Sequence, residues 1–243
     1  LLRTPRTPDP YRKVLEEGGY RVDVVPVLRF EFVRGPALRE VLERVDTFGG
    51  LIVTSPRAVE ALGRHEVLIG PWTSRTLYAV GPETARRARE LGFSPQGEEA
   101  GSADELADMI IDDPPLKPLL FLSGNRRRDT LPDRLHAAEL SFEELVVYET
   151  YVRDALVWPY DEHCRPNWIV FFSPSGIDAA EGNPLFAGSD IRTAAIGSTT
   201  AAALRDRGWS VHAVAEHPTP DALYKALRTA SEAFPDSGAG GNA

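Results

Sequence analysis

The chain has a single cysteine, Cys164, in 243 residues. That count excludes an internal disulfide and any multi-cysteine zinc site. No apolar run approaches the ~20 residues that a membrane-spanning helix needs. No signal-peptide pattern is visible, although the chain starts at Leu1 rather than Met, and a cytoplasmic location is the expectation. Acidic residues outnumber basic ones, 36 against 27. A formal net charge of −9 argues against a general nucleic-acid binder, and any anionic ligand has to be held by local groups. The G-x-S-x-G nucleophile elbow, the P-loop, and a G-x-G-x-x-G between strand and helix are all missing. Of the five histidines, His163 abuts Cys164, but no second pair has ligand spacing, so no metal is expected.

The most informative stretch present is Thr193–Trp209, TAAIGSTTAAALRDRGW. An apolar run ends at Gly197, Ser198, Thr199 and Thr200 follow, and an Ala/Leu-rich helical pattern begins. Helix N-termini carry unpartnered N–H groups and partial positive charge, and a glycine lets a ligand approach the backbone. This is a strand–turn–helix unit suited to an anion. The same unit occurs earlier as YAVGPETARRARELGF, where Gly81 and Thr84 open the helix.

The rest of the chain follows the same alternation. Apolar strands are predicted at Gly50–Thr54, Leu77–Val80, Leu119–Leu122 and Trp168–Phe172, with helices starting after Asp9, Ser55-Pro56, Ser102, Ser173-Pro174 and Thr219-Pro220. Two segments, Tyr20–Val33 and Phe142–Arg153, are unusually long for single strands. Landmarks recur at a nearly constant offset: Ser55-Pro56 against Ser173-Pro174, Gly81 against Gly197, Asp104 against Asp221, Leu2 against Leu120. An internal duplication is therefore expected, giving two parallel sheets of about five strands covered by helices on both faces. The domain boundary has two solutions. One cuts the chain near residue 118. The other lets the two long strands cross side by side, so that 1–32 with 154–243 form one lobe and 33–153 the other. The tail 235–243, PDSGAGGNA, is expected to be disordered.

In doubly wound sheets, ligands sit beyond the carboxyl ends of strands. Here those ends and the helix starts beside them carry Ser55, Gly81, Thr84, Ser102, Ser123, Gly124, Asn125, Ser173, Pro174, Ser175, Gly197, Ser198, Thr199 and Thr200. Each hydroxyl is either an ordinary helix cap or a donor to a ligand. Arg126–Arg128 and Arg57 stand near helix starts, where the dipole disfavours cations. They are either solvated charges or partners for carboxylates. His217 and Cys164 are read as loop residues.

The blocks DPYRKVLEEGGYRVDVVPVLRFEF, GGLIVTSPRAVEAL, YAVGPETA, LLFLSGNRRRDTLP, ELVVYETY, FFSPSG and AAIGSTTAAAL…AEHPTPDAL come in the order seen in the uroporphyrinogen-III synthase family. The chain resembles that family over nearly its whole length, to about Arg228, and PVLRFEF looks most like its eukaryotic members. The resemblance implies two flavodoxin-like lobes joined by a two-stranded β-ladder, which favours the crossed division, with the strand-end residues of both lobes facing a cleft. It implies an enzyme that cyclises hydroxymethylbilane to uroporphyrinogen III, with loss of water and inversion of ring D, using no metal and no organic cofactor. The small-molecule substrate would be its only partner, and a monomer is expected. Tyr148, in VVYET, matches a family tyrosine proposed to assist departure of the hydroxyl; taken by itself, it is an aromatic residue packed on a strand. Two other classes compete: a non-catalytic two-lobed small-anion binder, and a glycosyltransferase with two Rossmann-like lobes.

Overall fold

A computed structural model describes residues 1–154, 156–157, 165–183 and 191–233. In chain order the elements are α1 (Pro10–Glu17), β1 (Leu28–Phe32), α2 (Gly35–Glu43), β2 (Gly50–Val53), α3 (Pro56–Gly63), α4 (Glu66–Ile69), β3 (Thr76–Ala79), α5 (Pro82–Glu90), β4 (Pro95–Gln96), α6 (Ala103–Asp112), β5 (Leu119–Gly124), α7 (Thr130–Ala137), β6 (Phe142–Val152), β7 (Trp168–Phe171), α8 (Pro174–Ala180), β8 (Arg192–Ala195), α9 (Ser198–Asp206), β9 (Ala213–Val214) and α10 (Pro220–Ala233). The chain divides into two compact units, Leu1–Arg29 with Tyr151–Ala243, and Phe30–Thr150. It leaves the first unit within β1 and returns within β6.

The Phe30–Thr150 unit is built on the order β6-β5-β2-β3-β4, all parallel, with β1 added beside β6. β1 runs antiparallel to β6: the Val33 N–H donates to Val147 O, and further along the Arg153 N–H donates to Val27 O. β2 and β5 are buried along their whole length, which explains why they read as continuous apolar runs rather than alternating ones. Their side chains still divide by period two. Leu51, Val53, Leu77, Ala79, Leu120 and Leu122 face a cluster with α2, α3, α4 and α5. Ile52, Tyr78, Leu119 and Phe121 face a second cluster with α6 and α7. Trp72 anchors the first cluster. It is fully buried, its Nε1–H donates to Leu42 O at 2.9 Å, and its ring packs on Phe48 at 5.7 Å. Its polar edge is therefore satisfied while its apolar surface is removed from water.

In the other unit β7, β8 and β9 form a parallel three-stranded sheet. Leu2 bridges in parallel to Phe171 on one side and to Val25 on the other, so the order from edge to edge is Val25, Leu2, β7, β8, β9. One face packs Leu2, Phe171 and Ala195 with Ile177 and Leu204; the opposite face packs Val170, Ala194 and Ala213 with Leu15, Leu223 and Leu227. Asp9 caps α1 by accepting from the Tyr11 and Arg12 N–H groups.

Several expectations need correction. The segment Tyr20–Val33 is not one strand: only Leu28–Phe32 is regular, with a single bridge at Val25. Pro26 supplies no N–H and interrupts the ladder. For the same reason the second sheet has three strands and two single bridges rather than five strands, its first segment being cut short by Pro5. The helix α4 and the two-residue strands β4 and β9 had no sequence signal, being shorter than a period can reveal. The residues His163 and Cys164 and the tail 235–243 lie outside the described residues.

Candidate functional site

In the Phe30–Thr150 unit the strand order reverses between β5 and β2, and a doubly wound sheet opens its crevice at that point. Two strand ends meet there. After β2, Ser55 has extended backbone and accepts the Arg57 N–H at 3.1 Å, capping α3 with Pro56 in the first turn. β5 ends at Gly124, and Asn125 follows.

The pairing of β5 with β6 shifts register here: Ser123 is opposite Val146, but Gly124 is opposite Tyr148. The extra residue is Val147, which is fully buried in the α2–α5 cluster. A bulge of this kind re-aims the side chain that follows it. It lays the half-buried Tyr148 ring against Gly124 so closely that a Cβ there would meet Cζ at 2.3 Å and the hydroxyl at 2.6 Å. Beyond the bulge Asn125 keeps the strands together. Its N–H donates to Tyr148 O at 3.2 Å, its Oδ1 accepts the Thr150 N–H at 2.8 Å, and its Nδ2 donates to Thr150 O at 3.4 Å.

The other residues of this edge have distinct settings. Gly81 has φ +79° and ψ 156°, a conformation glycine alone adopts freely. A side chain there would meet open space. Thr84 is buried in the first turn of α5. Ser102 caps α6 through the Glu105 N–H at 3.2 Å. Ser123 points inward: it is 1% exposed and its hydroxyl donates to Glu144 Oε1 at 2.6 Å. Glu144 also accepts a fork from Arg127, with Nη2 to Oε2 at 2.7 Å and Nε to Oε1, while Arg127 reaches Asp129 as well. Burial alone would raise the Glu144 carboxyl, but the hydrogen bonds from Arg127 and Ser123 outweigh it and hold the group below its ordinary value. Ser123 and Arg127 thus already have a carboxylate partner within the protein, and Arg127 is the member of Arg126–Arg128 removed from the pool of anion ligands.

The Arg57 Cζ lies over the Phe30 ring, 3.1 Å from its centroid. Burial lowers its pKa from the ordinary guanidinium value, and Glu60, Tyr148 and Arg87 are its electrostatic neighbours.

In the other unit the reversal falls between the Leu2 segment and β7. Arg3, just beyond Leu2, is 8% exposed and lies between the rings of Tyr11 and Phe172 at 4.9 and 4.6 Å, with Asp9 3.7 Å away. Tyr11 in turn donates to Pro218 O at 2.5 Å, fixing the loop that holds His217. Ser173 precedes Pro174 and α8, and its hydroxyl meets Ser175 Oγ at 2.8 Å instead of capping the helix. Gly197 has extended backbone, and a Cβ added there would meet nothing within 4 Å. Ser198 and Thr199 are exposed in the first turn of α9, and Thr200 is buried. Arg3, Phe30 and Glu144 were not singled out from the sequence. Only Arg3 carried a signal, a cation placed directly after an apolar segment.

Fold and strand ends together define an α/β protein whose two sheets each offer hydroxyls, helix N-termini and arginines at their carboxyl edges, a chemistry suited to anionic ligands. Among the described residues no group of three or more His, Cys, Asp or Glu is placed to hold a metal. The model of the HEM4 family, uroporphyrinogen-III synthase HemD, matches residues 9–225, and the chain belongs to this family. Its relatives include the uroporphyrinogen-III synthases of Schizosaccharomyces pombe and Saccharomyces cerevisiae, each 32% identical over 93% of this chain and 94% of the relative. Among solved structures, uroporphyrinogen-III synthetase from Helicobacter pylori superposes with a TM-score of 0.54 at 19% identity, covering 87% of this chain and 95% of that one. A mutant uroporphyrinogen III synthase from Thermus thermophilus gives a TM-score of 0.51 at 18% identity, covering 92% and 94%. These two share the fold.

Proposed function

We propose that this chain is a uroporphyrinogen-III synthase: a cyclising lyase of haem (tetrapyrrole) biosynthesis that converts hydroxymethylbilane to uroporphyrinogen III with loss of water and inversion of ring D. The observation that carries the reading is family membership across residues 9–225. The placement of Tyr148 against Gly124 at the β5–β2 reversal supports the assignment of its site.

The chemistry asks little of the protein beyond positioning. The C–O bond of the ring A hydroxymethyl group breaks under push from the pyrrole nitrogen, leaving an azafulvene, and the departing oxygen takes up a proton to leave as water. Ring D attacks through its substituted carbon to give a spiro intermediate. That intermediate fragments and recloses with ring D turned over. Tyr148 donates a hydrogen bond to the departing oxygen. A phenol with pKa near ~10 is a weak acid at neutral pH, but the leaving group departs mainly under the pyrrole push. Within each unit the carboxyl edge of the sheet offers candidate contacts for acetate and propionate groups: Ser55, Gly81, Ser102, Gly124 and Asn125 in one, and Ser173, Pro174, Ser175, Gly197, Ser198 and Thr199 in the other, while Thr84 and Thr200 are buried beside them. Ser123 contributes through Glu144 rather than through substrate. Orientation of this kind supplies a large share of a barrier reduction. No metal or organic cofactor enters the scheme, and we take the enzyme to act as a cytoplasmic monomer.

The same proposal covers the architecture. The orders Val25, Leu2, β7, β8, β9 in one unit and β6, β5, β2, β3, β4 in the other support a flavodoxin-like reading of each. Leu2 and β5 take equivalent central places, which supports descent of both units from an internal duplication, with β1 and β6 as the crossing strands.

The test is an isomer assay. Purified protein is added to hydroxymethylbilane as it is generated, and the oxidised products are separated. Type III formed faster than spontaneous type I supports the synthase. Type I alone, from folded protein, overturns it in favour of a non-catalytic anion binder.

A further inference from the structure

Arg57 is placed in the second position of α3, within the first helical turn. A cation there opposes the helix dipole, so something else has to hold it. The ring of Phe30 does so from one side, at 3.1 Å. The same strand and helix repeat the contact further along, where Arg64 lies 3.8 Å over Phe32. Residues two apart on β1 share a face, and residues seven apart on α3 return to one side after two turns. Thus one side of α3 and its C-terminal cap seats an arginine on each phenylalanine of β1.

The two arginines differ in what surrounds them. Arg64 follows the last turn of α3, where positive charge is favoured, and its stack on Phe32 joins the core cluster. Arg57 stands at the end that borders the β5–β2 reversal, with Tyr148 as an electrostatic neighbour. Glu60, the acid among its electrostatic neighbours, pairs with Arg87 at 3.8 Å, and Arg87 is further tied to Glu83 at 2.9 Å. Among the described residues no carboxylate pairs with Arg57. One face of the guanidinium is therefore covered by an aromatic ring, and its rim of N–H donors has no acidic partner of its own. A stacked guanidinium is pre-organised for bidentate recognition of a carboxylate.

We propose that Arg57 binds a carboxylate of the substrate beside Tyr148, with Phe30 as the platform that fixes the guanidinium plane. This rests on the synthase reading. It assigns to one side chain the recognition of an acetate or propionate group next to the departing hydroxyl. Arg57 is a binding residue, so its loss acts on KM before kcat.

Steady-state kinetics of type III formation test it in wild type, R57Q, R57K, F30L and R64Q. Loss of a charge-assisted hydrogen bond predicts a rise in KM of about tenfold to a hundredfold in R57Q, with kcat within about twofold. R57K keeps the charge but loses the fork, and F30L loses the platform, so both fall between wild type and R57Q. R64Q matches wild type. Added salt raises KM in wild type and much less in R57Q, because the screened pair is absent from the variant. A KM for R57Q within twofold of wild type overturns the proposal, as does a fall in kcat at unchanged KM. Equal salt dependence in the two proteins also overturns it. If R57Q does not fold, R57K and F30L decide: unchanged KM in both sinks the assignment. Wild type that makes no type III isomer refutes the synthase reading itself, an outcome separate from a silent R57Q in an active enzyme.

Discussion

Gly124 offers a way to move Tyr148 without altering its chemistry. An added Cβ at position 124 would lie 2.3 Å from Cζ, 2.6 Å from the hydroxyl and 2.7 Å from Cε2 of the Tyr148 ring. Carbon contacts settle near 3.5–4.0 Å, so the ring has to withdraw by about 1 Å. Gly124 is not among the glycines held at positive φ, so alanine suits its backbone and even trims the unfolded chain's freedom, by about 0.4–1 kcal/mol. The fold should therefore survive Gly124→Ala, with a melting temperature within about 5 °C of wild type. Turnover should not. A misplacement of about 1 Å at a reacting centre costs roughly a hundredfold. The assay is the rate of type III formation above spontaneous type I. Tyr148→Phe removes the hydroxyl and is expected to lose about tenfold to a hundredfold. If Gly124→Ala acts by displacing that hydroxyl, the double variant is scarcely slower than Tyr148→Phe alone, because the two changes act on one group. Wild-type turnover in Gly124→Ala, or losses that multiply in the double variant, would refute this reasoning.

Two predictions concern stability, and the Arg57 kinetics stand beside them. Glu144→Gln breaks the fork with Arg127 and should lower unfolding stability by about 1–3 kcal/mol at pH 7, measured by urea titration. The Glu144 carboxyl is held below its ordinary value of 4.5, so its contribution is fully present above that value and is lost as pH falls through the lower folded value. The gap between wild type and variant should accordingly close only in acid below pH 4.5; a gap that closes between pH 7 and 5 contradicts the assignment. Trp72→Ala empties the centre of the α2–α5 cluster and strands Leu42 O without its donor, which should cost about 3–5 kcal/mol by the same titration. A loss under 1 kcal/mol would mean the cluster closes around the gap.

Much of the fold was legible because its signals are local. Asp9, Ser55 and Ser102 announce helix starts by capping N–H groups two or three residues on, and the apolar runs at β2, β3, β5 and β7 are short, buried and bounded by turn residues. The order of strands and helices along the chain followed from these. The site was legible only in part. Ser123 and Gly124 are adjacent in sequence, yet one hydroxyl turns inward to Glu144 while the other residue lies beneath Tyr148.

The sequence by itself determined the alternation of strands and helices, their capped starts, and the family to which the ordered blocks belong. The alternation and the capped starts rest on neighbours a few residues apart, where period, cap and turn chemistry act; the family rests on the resemblance of whole blocks in their order. Only the tertiary structure decided that a bulge at Val147 re-aims Tyr148, that Arg127 is neutralised by Glu144, and that Phe30 supports Arg57. Those pairings join residues far apart in the chain. Strands buried on both faces carry no alternation to fix their register, so register and strand order, and with them the identity of each partner, emerge only when the sheet is packed.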